Sequence, residues 1–157
     1  METKIIQASL EEIQTVHDVM VKAFEEYRGK LNPPSGALSE TIDDIVKKIS
    51  NNGGAIIAQA EGVPVGSAQF IFQDNYVYIG RVSVLPSHRG WGIGKMMVRY
   101  IENHARNKGV NESRLEVRIS IPSNVAFYKK INYEVIEKHA YPAETDYWYV
   151  MKNSLTN

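Results

Sequence analysis

The sequence predicts an α+β domain, a mixed and mostly antiparallel sheet flanked by helices in the order βααβββαβαββ. Three observations predict it. Apolar residues recur at helical spacing in some stretches and alternate in others. Three apolar runs between positions 55 and 86 are joined by short turns at Glu61-Gly62 and Asp74-Asn75, which suits antiparallel strands. A glycine-rich loop then opens a long helical pattern. The 157 residues suit one domain, 1–157, with a full hydrophobic core.

The elements follow in order. "KIIQA" (Lys4 to Ala8) reads as a strand, and Ser9 with Glu12 forms a capping box for a helix. Leu10, Ile13, Val16, Met20, Phe24 and Tyr27 give that helix an apolar stripe. Pro33, Pro34 and Gly36 break the chain across 29–39. Leu38, Ile42, Ile45, Val46 and Ile49 mark one face of a second helix, with Gly53 and Gly54 ending the region. Three strands follow, then a helix to about Lys108 with Gly109 as its cap. "SRLEVRI" is a strand, and "SNVAFYKKI" is a short helix with Ser123 at its N-cap. "YEVIEKHAY" and "DYWYVMKN" close the chain as paired strands.

Composition narrows the function classes. Lys plus Arg is 18 and Asp plus Glu is 18, so there is no basic excess for a nucleic-acid partner. The cysteine count is 0, which removes disulfides, thiolate metal sites and a cysteine nucleophile. Together with the absence of a signal-peptide pattern, this leads us to expect a cytoplasmic protein. No apolar run approaches the ~20 residues of a membrane span, so no membrane association is expected. The four histidines are scattered, and no metal is expected.

The stretch "HRGWGIGK" carries the chemistry. The first N–H groups of a helix lack intrahelical partners, and the macrodipole adds positive charge there. Glycines let an anion approach those groups, and Arg89 and Lys95 add full charges. A diphosphate suits the length, although a tight turn that merely starts a helix has the same composition. A Walker A loop is excluded because Met96 follows Lys95. A dinucleotide fingerprint would need a glycine near Met97.

"RVSVLPSHRGWGIGKMMV" resembles the acetyl-CoA signature of the GNAT acetyltransferases, with Arg89, Gly92 and Gly94 at the signature positions. "NVAFYKKINY" resembles the family's second motif, and the element order is the family's order. The resemblance implies a GNAT acyl-CoA N-acyltransferase fold with acetyl-CoA as cosubstrate. It places the CoA pyrophosphate on the N–H groups of Arg89, Gly90, Trp91, Gly92, Ile93, Gly94 and Lys95. It lays the pantetheine arm along Val82, Ser83 and Val84, and sets Asn124 and Tyr128 near the thioester. Asn132 stands where the family has glycine, and asparagine tolerates the left-handed backbone needed there. Ile121 stands where many members carry asparagine.

"LEVRISIPSNVAFY" resembles the ribosomal-protein N-terminal acetyltransferase branch, whose glutamate lies twelve residues before the tyrosine. The resemblance implies Tyr128 as acid to the departing thiolate and Glu116 as base toward the amine. Two other readings stay open. Glu116 is also a strand carboxylate between Arg114 and Arg118, and Tyr128 also reads as a core aromatic. Position 78, where some members place glutamate, is Tyr78. The expected partner is an amine acceptor, small molecule or peptide, and a homodimer is compatible with the family. A non-catalytic acyl-CoA-binding domain would carry the same loop. The 29–39 segment and the aromatics Tyr141, Tyr147, Trp148 and Tyr149 border the acceptor or are plain surface, with Leu31 and Tyr147 expected to set amine affinity. His139 either supports that region or is an ordinary strand residue. Glu25, Glu26 and Glu40 are too scattered to argue a polyamine pocket.

Overall fold

A computed structural model describes residues 2–156. The elements are β1 (Thr3–Gln7), α1 (Ile13–Phe24), α2 (Ile42–Ser50), β2 (Gly53–Ala60), β3 (Val63–Phe72), β4 (Val77–Val84), α3 (Ile93–Asn107), β5 (Glu112–Arg118), α4 (Pro122–Lys130), β6 (Glu134–Ala140) and β7 (Tyr147–Ser154). They form one seven-stranded sheet in the order β1-β2-β3-β4-β5-β7-β6. Every neighbouring pair is antiparallel except β4 and β5. The parallel pair needs a crossover, and α3 supplies it.

Alternation along β2 divides the core between two layers. Ala55 and Ile57 pack against Ile13, Val16, Met20, Ile45 and Ile49 of α1 and α2. Ile56 and Ala58 join the other cluster, with Ile93, Met97 and Ile101 of α3. The sheet is therefore covered on both faces where β2 to β4 run.

Local chemistry moved several boundaries. Ser9 N–H donates to Glu12 Oε1 at 2.9 Å as the capping box requires, but the first turn is 3₁₀ (Leu10–Glu12) and Leu10 is 71% exposed. The second helix starts later than the apolar spacing predicts. Thr41 N–H donates to Asp44 Oδ2 at 2.9 Å, and Asp44 N–H donates to Thr41 Oγ1 at 3.0 Å. That reciprocal cap stops α2 at Ile42 and leaves Leu38 in a separate 3₁₀ turn. Gly53 and Gly54 open β2 rather than ending the helix, because Asn52, at φ +73, makes the turn. A Cβ on Gly53 would fall 2.4 Å from the Phe70 carbonyl oxygen, so the glycine serves close strand packing. Ser123 is not an N-cap. Pro122 starts α4, where its missing N–H costs nothing, and Ile121 holds the cap position. Asn132 takes φ +80, the left-handed turn its position requires.

The feature that positions the site is the failure of β4 and β5 to stay paired. They are in register only at Val77↔Ser113 and Tyr78↔Arg114. Beyond Tyr78 they separate.

Candidate active site

Two clefts meet at that separation. The first, about 440 Å³, is walled by Val82, Ser83 and Val84 of β4, by Arg89, Gly90, Gly92, Ile93 and Gly94 at the mouth of α3, and by Asn124, Phe127 and Tyr128 of α4. Gly90 and Gly92 have φ of +83 and +79, a region costly for a residue with a Cβ. Met96 N–H is the first to bond back into the helix, to Gly92 O at 3.0 Å. The N–H groups of Ile93, Gly94 and Lys95 precede it and have no intrahelical acceptor. Trp91 and Lys95 are exposed and lie outside this wall, and Trp91 sits edge-on to His88.

Arg89 differs from its expected part as a free cation. Its Nε donates to Val84 O at 3.1 Å, Nη2 to Ala23 O at 3.0 Å, and Nη1 to Glu26 Oε2 at 2.5 Å. The carbonyls at the C-terminus of α1 draw a cation, and Glu26 neutralises it. Arg89 thus braces α1 against β4 while still lining the first cleft.

The second cleft, about 590 Å³, lies over β4 and β5 and shares Phe24, Val82, Asn124 and Tyr128 with the first. A bulge shapes its floor. Ser83 pairs with Ser67 and Gly80 with Gln69, so Arg81 and Val82 oppose Ala68 alone. Arg81 takes φ +53 there. Beyond the bulge, Leu85 N–H bonds Val65 O at 2.8 Å. Successive N–H groups alternate sides, so that of Val84 points to the separated edge.

Glu116 and Tyr78 stand on this floor, and Tyr78 OH donates to Glu116 Oε1 at 3.3 Å. The arginine-paired reading of Glu116 fails, because Arg114 pairs with Glu112 and Arg118 with Asp146. Tyr128 is half-buried, edge-on to Phe127 and Tyr133. Burial pushes its phenol well above the ordinary range, so it stays protonated. Burial does the same to Tyr78, with the Glu116 charge adding to it. Tyr133 anchors the end of α4. Its N–H donates to Tyr128 O at 2.9 Å and its hydroxyl to the buried Glu102 at 2.7 Å.

A tie spans the second cleft. Arg118 Nε donates to Asp146 Oδ2 and Nη2 to Pro33 O, both at 2.5 Å, while the guanidinium lies 4.6 Å from the Tyr141 ring centroid. The 29–39 segment is thereby fastened to the β6–β7 turn. Leu31, Tyr141 and Trp148 line the cleft. Tyr147 does not, contrary to expectation, and neither does Tyr149. His139 stacks on Trp148 at 4.3 Å and hydrogen-bonds Glu137, which places it behind the lining. Sequence reasoning missed Arg81, Arg118 and Asp146, since no local motif marks them. Among the described residues, no group of three or more His, Cys, Asp or Glu side chains is placed to hold a metal ion. Also among them, no helix is long and apolar enough to cross a membrane.

A model described as the Acetyltransferase (GNAT) family matches residues 14–133. The chain is 28% identical over 112 residues to the uncharacterized N-acetyltransferase YjcF of Bacillus subtilis (strain 168), covering 71% of this chain and 78% of that one. It is 28% identical over 120 residues to the IAA acetyltransferase of Azospirillum brasilense, covering 73% and 76%. Among solved structures, the PaiA N-acetyltransferase of Thermoplasma acidophilum in complex with coenzyme A superposes with a TM-score of 0.81 at 19% identity, covering 98% of this chain and 99% of that one. The ribosomal-protein-S18-alanine N-acetyltransferase of Escherichia coli gives 0.80 at 12% identity, covering 99% and 96%. At these identities the structures share the fold.

Proposed function

Because this chain belongs to the GNAT acetyltransferase family, we propose that it moves the acetyl group of acetyl-CoA to a primary amine by direct attack in a ternary complex. The observation that carries this reading is the junction of two clefts at Val82, Asn124 and Tyr128. One cleft offers unpartnered backbone donors to a diphosphate, and the other offers a carboxylate and phenols to an amine. The coenzyme A complex of the similarly folded PaiA protein supports the first assignment.

The chain's own groups supply the steps. The N–H groups of Ile93 to Lys95 hold the pyrophosphate, and the open edge of β4 receives the pantetheine amides. Val84 N–H faces the oxyanion that develops as the amine nitrogen adds to the thioester carbonyl. The N–C bond forms and the C–S bond breaks. Glu116, directly or through Tyr78 or a water, takes the proton that the nitrogen loses. Tyr128 OH gives its proton to the departing thiolate. No cysteine exists to carry the acetyl group in between.

The N-terminus of a protein is a second acceptor reading. The "LEVR" strand with Glu116 favours it, as does the fold shared with the S18-alanine enzyme. A thermal-shift titration with acetyl-CoA, followed by a mass-shift screen of amines and peptides, tests both. Stabilisation should grow with ligand concentration. No shift at millimolar acetyl-CoA overturns the reading. A shift without any acetylated product points instead to a regulatory acyl-CoA-binding domain.

A further inference from the structure

The chemistry above leaves one end of the acceptor cleft unused. There Glu40 Oε2 accepts from Lys48 Nζ at 2.9 Å and from Arg81 Nη2 and Nε at 3.3 and 3.4 Å. Its Oε1 accepts from the neutral Gln69 amide at 3.1 Å. The Glu40 side chain is 9% exposed, while Lys48 and Arg81 keep 29% and 32%. Two cations therefore share one carboxylate oxygen, and the Arg81 contacts are long. A guanidinium carries five N–H donors in a fork that matches both oxygens of a carboxylate. Arg81 commits its fork poorly, because the one Glu40 oxygen it reaches is already held by Lys48 at 2.9 Å.

The backbone is arranged to aim that charge. Arg81 sits in the β4 bulge at φ +53, a conformation a side chain disfavours. Gly36 keeps space for the guanidinium, since a Cβ there would lie 2.9 Å from Nη2. The other end of the cleft has the opposite sign. Glu116 is the carboxylate without an arginine, because its neighbours are matched elsewhere. Tyr78 and Tyr141 lie within reach of both charges. Burial raises both phenols, and Glu116 raises and Arg81 lowers each of them, with Arg118 and Asp146 acting more strongly on Tyr141. Arg81 lies three positions along the strand from Tyr78, at most about 10 Å.

We propose that the acceptor carries both an amine and a carboxylate, the amine toward Glu116 and Tyr78 and the carboxylate on the Arg81 fork with Lys48 beside it. That chemistry belongs to a small free amino acid or to a peptide whose first residue is acidic. The inference specifies the acceptor of the transferase reading and rests on it. A polyamine is disfavoured, because its second ammonium would face Arg81.

The experiment measures CoA release with matched pairs: β-alanine and γ-aminobutyrate against their amides, and peptides beginning with Asp against the same peptides beginning with Asn. The carboxylate member should be preferred by about tenfold or more in kcat/KM, a difference of ~1.4 kcal/mol. Arg81→Gln should bring the ratio toward one, chiefly through KM. The change in ratio is free of each amine's own basicity. Preference in the first pairs assigns a free amino acid, and preference in the peptide pair assigns a chain end. Equal rates within every pair, or a preference that survives Arg81→Gln, overturn the inference. Where Arg81→Gln fails to fold, Lys48→Met takes its place. Where no amine is acetylated, the CoA-loaded protein is titrated with the same pairs. A thermal shift confined to the carboxylate members keeps the amine-and-carboxylate ligand on Arg81 while removing the transferase reading. No shift with any of them at about 50 mM removes the inference too.

Discussion

The two clefts, assigned above to cosubstrate and acceptor, share Phe24, Val82, Asn124 and Tyr128, yet they are built of different material. The first is largely backbone: two left-handed glycines, the orphan N–H groups of one helical turn, and the free edge of one strand. Most of it comes from the single stretch 82–94. The second is side chains, brought together from α2, β4, β5, the 29–39 segment and the β6–β7 turn. Two charge clusters lock them, Arg118 with Asp146 and Glu40 with Lys48 and Arg81. A backbone site survives most substitutions that respect its φ angles. A side-chain site changes character with each replacement.

The sharpest way to break this comparison is Gly92→Asp. It adds strain at φ +79 and a carboxylate beside the diphosphate. At ~4 Å and an effective dielectric of ~20 the repulsion is about 4 kcal/mol, or roughly 10³-fold in acetyl-CoA affinity. Calorimetric titration with acetyl-CoA checks it, and near wild-type affinity would show that the loop is only a turn. Next is the seam. Tyr128→Phe should lower kcat about 10²-fold with acetyl-CoA affinity little changed. Stopped-flow rates under chemistry-limited conditions decide it, and an unchanged kcat would return Tyr128 to a packing role.

Glu116→Gln should cost about tenfold in rate at neutral pH, with partial recovery at high pH as free amine becomes available. A pH profile identical to wild type would leave Glu116 as an exposed strand residue hydrogen-bonded to Tyr78. Leu31→Ala removes apolar surface from the acceptor cleft and should raise the acceptor KM severalfold, about 1 kcal/mol. Tyr147→Ala, outside that cleft, should leave it nearly unchanged, and neither should affect acetyl-CoA binding. Equal effects of the two on acceptor KM would contradict the observed lining.

The smallest effect expected is on stability. Burial pushes the Asp146 carboxyl up, but hydrogen bonds from Ser120, Arg118 and the Tyr147 N–H outweigh it and hold the group below its usual value. Burial is likewise outweighed at Glu40, by Lys48, Arg81 and Gln69. A carboxyl lowered by folding stabilises the fold fully above its unfolded pKa, ~4, and loses that contribution as pH falls through the lowered folded value. Melting temperature should therefore fall below about pH 4, less steeply in Glu40→Gln than in wild type. Parallel curves would remove Glu40 from the acid response.

Much of this was legible in sequence for a local reason. The order of elements rests on periodicity and turn chemistry within short windows, and Glu61-Gly62, Gly109 and Asn132 adopt the left-handed angles their positions implied. The glycine loop is equally local. The misplacements at Leu38 and Ser123 are local too. The Thr41 and Asp44 cap and the proline at α4 were in the sequence but were outweighed by apolar spacing and a serine.

What the chain alone determined is the fold order and the glycine-rich mouth of α3, because φ angles, caps and orphan N–H groups depend on neighbours a few residues away. Only the tertiary structure decided where the charges go. Arg89, a charge at the glycine loop in the sequence, also closes the end of α1 and finds Glu26, 63 positions back. Arg118 looked like a partner for Glu116 and instead bonds Asp146 and Pro33. A long side chain pairs with whatever the fold brings within hydrogen-bond reach, and that choice depends on how the sheet separates between β4 and β5, not on sequence spacing.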